Sequence, residues 1–435
     1  MKKSTMAGFA VLAAGVVTLT ACSSPSSSSA AAPVKKAGSV VTIQWAASPI
    51  SQTGIRANLI KLFEKSHPNI RVQLISQSTN TDTNRASLIT QITGGSTTPD
   101  VFMGDVVWPG QFASAGLALP LNGHVSKAYL NQFAPGLVAG ATYKGKVYAA
   151  PFFMDAGFLY YRKDLLQRAH LPIPKTWEQL VKDAKTLTSR HMVKYGFVWQ
   201  GNSYEGLTCD WMEYLTDAGG KVFNAAGKPV MNSPQAIKAL TFMRSLITSG
   251  VSPSAVSTYQ EAQAMNAFND GQAAFLRNWD YAWSNSQTKG QSNVIGKVGV
   301  VPMPTFQGHG ATGYSTIGGW DLYVNPHTKH LAQDLTFIQW MTGVQAQTVL
   351  ATKYSEIPTN GAVQKNPHVR ALNPVLAIVN KAHLIARPSQ TPNYALVSKA
   401  IYTNINAALS GQSSVKAALN TANQQLQSAN SASSL

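Results

Sequence analysis

Two aspartates stand where a carboxylate can do chemistry. Asp105 closely follows the apolar run Val101 to Met103, which reads as a short buried strand, and the carboxyl ends of such strands are where open α/β sheets expose ligand-binding groups. Capping the turn that follows is its competing role. Asp155 lies among Phe152, Phe153, Met154 and Phe158. A carboxylate in such apolar company needs a partner, either a ligand hydroxyl or a structural hydrogen bond. As a pair the two acids could flank a glycosidic bond. No nucleophile elbow, metal-ligand cluster or phosphate loop accompanies them, because Gly94-Gly95-Ser96 and Gly318-Gly319-Trp320 lack the lysine and spacing of a phosphate loop. Apart from that candidate pair the sequence offers no catalytic residue, and it offers no metal and no cofactor.

The chain opens with Lys2 and Lys3, runs through an apolar stretch from Met6 to Leu19 and reaches Leu19-Thr20-Ala21-Cys22. This is an export signal, too short to span a bilayer stably. Its Leu-Thr-Ala-Cys end resembles a bacterial lipobox, which implies cleavage before Cys22 and a diacylglyceryl group on its sulfur. Residues 1–21 are then signal, and 22–39 a lipidated cysteine and a tether whose Ser, Ala and Pro cannot bury apolar surface. Cys209 is the one other cysteine, so the mature fold has no intrachain disulfide and depends on its core. Roughly 400 residues with 44% hydrophobic content suffice for two lobes. No later segment has the apolar length of a transmembrane helix.

Thirty-five Lys plus Arg face 18 Asp plus Glu, a formal charge of +17. The basic residues are scattered, with no arginine-rich run and no aromatic-interleaved motif, which argues against nucleic acid. A surface poor in carboxylates suits an acidic exterior, because it has few groups whose protonation destabilises it.

Several elements must position these residues. Val40 to Trp45 reads as a strand, followed by a helix with Ile55, Leu59, Leu62 and Phe63 at helical spacing. Ile70, Val72 and Leu74 alternate with polar residues as in a half-buried strand. Leu88, Ile89 and Ile92 predict a second helix ending at Gly94-Gly95, ahead of the strand that leads to Asp105. The alternation predicts a parallel doubly wound sheet. Thr176 and Gln179 form a capping box, Ser233-Pro234 starts a further helix, and Leu331, Leu335 and Ile338 mark another. The Ser, Asn and Gln-rich tail after Leu419 reads as loosely ordered.

Four segments carry a family resemblance: Thr98 to Leu121, Tyr143 to Leu180, Gly318 to Gln347 with Tyr354 to Asn360, and Ala386 to Gly411. In order and spacing they resemble the extracellular solute-binding proteins, family 1, of bacterial ABC sugar importers, the group that includes the maltose- and trehalose-binding proteins. The resemblance implies an α/β, two-lobed periplasmic-binding-protein-like fold, each lobe a doubly wound sheet flanked by helices. Crossovers are expected near Ala149-Ala150, Val300 to Pro302 and Ile357-Pro358. Lobe 1 then takes 40–149 and 302–357, and lobe 2 takes 150–301 and 358–435. It further implies a monomer, not an enzyme, held outside the cell membrane by the lipid on Cys22, that closes on a sugar and delivers it to a membrane permease.

A disaccharide presents hydroxyl pairs around its rim and C-H patches on its ring faces, so its site needs charged acceptors, planar donors and aromatic platforms. Asp105 and Asp155 supply acceptors. Trp279 resembles the family's cleft aromatic, although a core tryptophan has the same chemistry. Gly318-Gly319-Trp320 matches a loop whose glycines let backbone approach the ligand, where Gly-Gly alone would say only turn. Arg387 matches a guanidinium that reaches hydroxyls, and Arg85 is a further candidate. Tyr204 and Glu205 lie in a Tyr-Glu-Gly-Leu stretch similar to the trehalose and maltose subgroup, which points to an α-glucoside disaccharide. Some members of that subgroup carry a glutamate after the first strand. Here Ser48, Ser51 or Gln52 would stand in for it. The other readings are another oligosaccharide, a glycerol phosphate ester, or a secreted glycoside hydrolase.

Overall fold

The computed structural model describes residues 39–49, 54–389 and 391–431; the signal, Cys22, nearly all of the tether, Ser51 and Gln52 lie outside the described residues. Strands β1 (Val41–Ala47), β2 (Ile70–Ser76) and β3 (Val101–Asp105) alternate with helices α1 (Ile55–Ser66) and α2 (Thr81–Thr93). Next come β4 (Ala150–Arg162), α3 (Trp177–Ser189), β5 (Tyr195–Val198), α4 (Glu205–Asp217), α5 (Pro234–Thr248) and β6 (Ala273–Trp279). They are followed by β7 (Val298–Val301), β8 (Tyr314–Val324), α6 (Leu331–Met341), β9 (Ile357–Pro358), α7 (Tyr394–Leu409) and α8 (Val415–Ser431).

One continuous sheet runs β2-β1-β3-β8-β4-β6-β5, with β7 and β9 also pairing with β4. Its ends are parallel, β2 with β1, β1 with β3, and β5 with β6. Its middle is antiparallel, because β8 runs against both β3 and β4, and β4 against β6. The doubly wound expectation therefore holds at the two flanks and yields between them.

Two hydrophobic cores lie along this sheet. The first gathers Trp45, Leu59, Phe63, Phe102, Phe152, Leu322 and Phe337. The second gathers Phe158, Trp177, Phe197, Trp211, Leu240, Phe275 and Ile401. Strand β4 changes core within its own length, from Phe153 to Ala156. Strand β8 does the same, its Ser315 and Thr316 hydroxyls donating to Gly157 and Cys209 carbonyls while Trp320, Leu322, Tyr323 and Val324 fill the first core. The middle crossing thus falls at Gly318-Gly319, not at Val300 to Pro302. Strand β7 pairs with Leu159 to Arg162, and Thr305 and Phe306 are tied to the Asp217 carboxylate on α4, so this segment still belongs to the second lobe. The first crossing lies a little beyond Ala149-Ala150, and β9 pairs its Ile357 and Pro358 with Met154 and Phe153.

Three local expectations are corrected. Leu74 is exposed: it lies on the outermost strand of the sheet, beside an open groove along α1. Thr176 caps α3 by accepting from the Gln179 amide, but the Gln179 side chain turns to Asp183 instead of closing the box. The tail after Leu419 continues helix α8 as far as Ser431. Leu419, Ala422, Leu426 and Ala429 recur at helical spacing and are buried in the second core, and its Asn423 accepts from the Met231 amide. Its polar composition hid a narrow apolar stripe.

Candidate functional site

The end of β3, the crossing strands β4 and β8, the start of α4, the end of β6 and the segment before α7 converge between the two cores. Each brings one polar or aromatic group. Asp105, Asp155, Glu205, Trp279, Gly318, Gly319, Trp320 and Arg387 line one cavity. The segments that supply them are far apart in sequence and are joined here by the antiparallel middle of the sheet.

Arg387 is the centre of the charge arrangement. From the second lobe its guanidinium donates through Nη1 and Nη2 to both oxygens of Asp105 in the first lobe, and Nη1 also donates to Glu205 Oε1 at 2.8 Å. Glu205 sits in the first turn of α4, where the helix dipole favours a negative charge. It also accepts from the Tyr394 and Ser398 hydroxyls. Asp105 keeps its capping role as well, accepting from the Val107 amide at 3.2 Å. Charge-assisted bidentate pairs of this kind are strong and directional, so this one links the lobes across the cleft.

Asp155 faces the same cavity under different electrostatics. Burial, and then the neighbouring Asp280, push its carboxyl well above the usual range, favouring the protonated form. In that form it can donate to a ligand oxygen as well as accept. Asp155, Asp280 and Glu356 bring carboxyl oxygens within 4.8 Å of one another, the one group of metal-ligand type found among the described residues. A cation already serves them: buried Arg56 interacts with Glu356 and Asp155 and is lowered to about 10 by burial. Asp280 accepts from the Ala156 and Ile357 amides, tying β4 to β9 at the crossing. With a buried cation close by and Asp280 spent on backbone amides, the cluster fits a structural hinge better than a metal centre.

The aromatic platforms are held from behind. Arg277 stacks on Trp279, its guanidinium carbon 4.2 Å from the ring centroid, while Glu213 and Asp210 neutralise it. Trp279 Nε1 donates to Glu261 at 3.3 Å. With Arg277 over its ring, Trp279 lines the cavity. Trp320 meets Trp108 edge-on at 6.4 Å. The two glycines are required by contact. A Cβ on Gly318 would come within 3.1 Å of Trp279 and Asp155, and one on Gly319, at φ +129°, would meet the Phe153 carbonyl oxygen at 2.5 Å.

The comparisons place this arrangement in a family. Residues 46–348 match the model of the bacterial extracellular solute-binding proteins. The chain belongs to that family. A probable ABC transporter-binding protein of Deinococcus radiodurans is 34% identical over 365 residues, covering 82% of this chain and 86% of that one. The mannitol-binding protein of Pseudomonas aeruginosa is 27% identical over 339 residues, covering 76% and 73%. Among solved structures, maltose-bound T. maritima MalE3 superposes with a TM-score of 0.84 at 34% identity, covering 89% of this chain and 99% of that one. A solute-binding protein of Agrobacterium radiobacter K84 in complex with ribitol gives 0.79 at 26% identity, covering 90% and 99%. These relatives are binding proteins and not enzymes, so the hydrolase reading of the two aspartates is set aside.

Within this solute-binding protein the other candidates sit elsewhere. Arg85 does not line the cavity; it pairs with Asp82 at 2.9 Å, one turn earlier on α2. Tyr204 is buried behind the wall, its ring under Gly206, where a Cβ would meet the phenol oxygen. Ser48 is committed to the Ser78 carbonyl. Sequence reasoning missed Thr79, Thr81, Glu261 and Tyr281, which line the cavity. Tyr281 lies in the Arg277 to Trp283 stretch that also holds Trp279, and Glu261 opens a helix after the capping residue Gln260. Neither residue carries a motif, so only folding reveals them.

Proposed function

We propose that the cavity captures a sugar, with an α-glucoside disaccharide of the trehalose or maltose type as the expected ligand, and that the closed protein presents it to the permease of an ABC importer. The observation that supports this most is the Asp105 and Arg387 pair, drawn from opposite lobes and set beside Trp279 and Trp320. Hydroxyl pairs on a sugar rim offer both groups alternative partners, and the indole faces match its C-H patches. The solved relative bound to maltose and the maltotriose-binding protein of Pyrococcus abyssi favour the same class.

The free space beside Arg387 is 50 Å³, room for a few waters and not for a disaccharide. Sugar entry therefore requires the lobes to part and the guanidinium to exchange partners. The same small space favours a second reading, a polyol, in line with the relatives named for mannitol and ribitol. On either reading the lipid on Cys22 tethers the protein at the outer membrane face. Calorimetric titration with trehalose, maltose, maltotriose and mannitol tests the proposal: saturable binding of one of them is expected, and its loss in Asp105→Ala ties it to this cavity. Binding of none would overturn it.

A further inference from the structure

A second cavity, of 480 Å³, lies against the crossing strands on the face away from the sugar cavity. The alternation of side chains along a strand separates the two. On β4, Asp155 points into the sugar cavity and its neighbour Met154 into the second; on β8, Trp320 and Asp321 divide in the same way. Gly318 and Arg387 are the residues the two linings share.

The second cavity is walled mainly by apolar groups, including Val106, Leu137, Met154 and Ile317. Its volume falls in the range of small-molecule sites. Asp321 is the exception. It is 4% exposed, and among the described residues its carboxyl has no hydrogen-bond or ion-pair partner. Burial, and next the charge on Asp105, push it up to about 8. Arg387 does not serve it: its Nη atoms are taken by Asp105 and Glu205, and its Nε, buried and without a partner, makes no contact with Asp321. The lining thus holds one acid, Asp321, and one guanidinium, Arg387, whose charge is already shared by two carboxylates outside it. An anionic occupant meets only that committed guanidinium and is repelled once Asp321 ionises, and a purely apolar one leaves the carboxyl unpaired at a cost.

We infer that this cavity is a second ligand site, for a small molecule with an apolar body and one protonated amine, which Asp321 receives as its counter-charge.

Cyclohexylmethylamine is a suitable probe, with cyclohexylmethanol and cyclohexanecarboxylate as controls. Titration calorimetry on the whole protein at pH 7 should show saturable amine binding, with the alcohol at least tenfold weaker and the carboxylate silent. Because the empty site is protonated at that pH, binding should release nearly one proton per site, read from buffers of different ionisation enthalpy. Asp321→Asn should weaken the amine at least tenfold and abolish the proton release. Leu137→Trp, which narrows the cavity without touching the carboxyl, should weaken amine and alcohol alike. Binding should persist in protein saturated with its sugar. The inference is overturned if the amine does not bind, if it binds Asp321→Asn equally, if no proton is released, or if sugar displaces it competitively; none of these outcomes bears on sugar capture itself.

Discussion

Replacing Asp321 by Asn should change how stability depends on pH. In the unfolded chain this carboxyl titrates near 3.8, and in the folded protein at about 8. The folded state holds the proton more tightly, so its stability is fullest below the unfolded value and falls as pH rises towards the folded one. At about 1.4 kcal/mol per pH unit, the full interval corresponds to about 6 kcal/mol. Water entering through the adjoining cavity reduces that figure, and about 2 kcal/mol is a safe lower mark. Asn is neutral throughout and similar in shape. Below pH 3.8 the two proteins should therefore differ little; the difference should reach about 1.6 kcal/mol at most by pH 5 and grow to about 2 to 6 kcal/mol in favour of Asp321→Asn by pH 9. Urea unfolding at intervals from pH 5 to pH 9 measures this, and taking the difference between variants removes the contributions of Asp155, Asp280 and Asp334. Parallel stability curves over the whole range would refute the reasoning, since they would mean that the carboxyl is charged at no cost inside the fold.

Arg387→Ala leaves Asp105 and Glu205 buried without their shared cation, a change of about 3 to 5 kcal/mol in stability. It should also enlarge the radius of gyration of the unliganded protein in small-angle scattering, because the link between lobes is gone; an unchanged radius would count against that link. Trp279→Ala should weaken sugar binding and shrink the saturable tryptophan fluorescence change while the fold persists, and full affinity would remove Trp279 as a platform. Leu426→Ala, on the polar-looking terminal helix, should cost about 2 to 5 kcal/mol in urea, whereas a loosely ordered tail would show no effect.

Much of the fold was legible in local pattern. The periodicity of Ile55, Leu59 and Phe63 fixes α1 because helical geometry places those side chains on one face whatever the rest of the chain does. Thr176 and Ser233 mark helix starts because a hydroxyl satisfies an amide three residues on. The family resemblance added what no local pattern holds, bringing Asp105, Trp279 and Arg387 into one expectation although long stretches of chain separate them. The antiparallel middle of the sheet escaped prediction, since strand direction depends on how the chain returns and not on the composition of β8. So did the crossing at Gly318-Gly319, where the missing side chains serve the contact with β4 and Trp279 and not a turn.

The charge partners belong wholly to the tertiary structure. Nothing in the residue types says that Arg387 engages both Asp105 and Glu205, that Arg85 is taken up by Asp82, or that Asp155 shares its surroundings with Asp280, Glu356 and Arg56. Asp321 shows the point most plainly. By sequence it is one more acid in a strand, and its neighbour Trp320 drew the attention. A strand sends adjacent side chains to opposite faces, and only the packing of the two lobes decides that one face meets the sugar cavity and the other a separate, largely apolar one. Sequence determines which groups are available and on which side of an element they stand. Distance, burial and the neighbouring charges, which set what each group can bind, arise when remote segments close on one another.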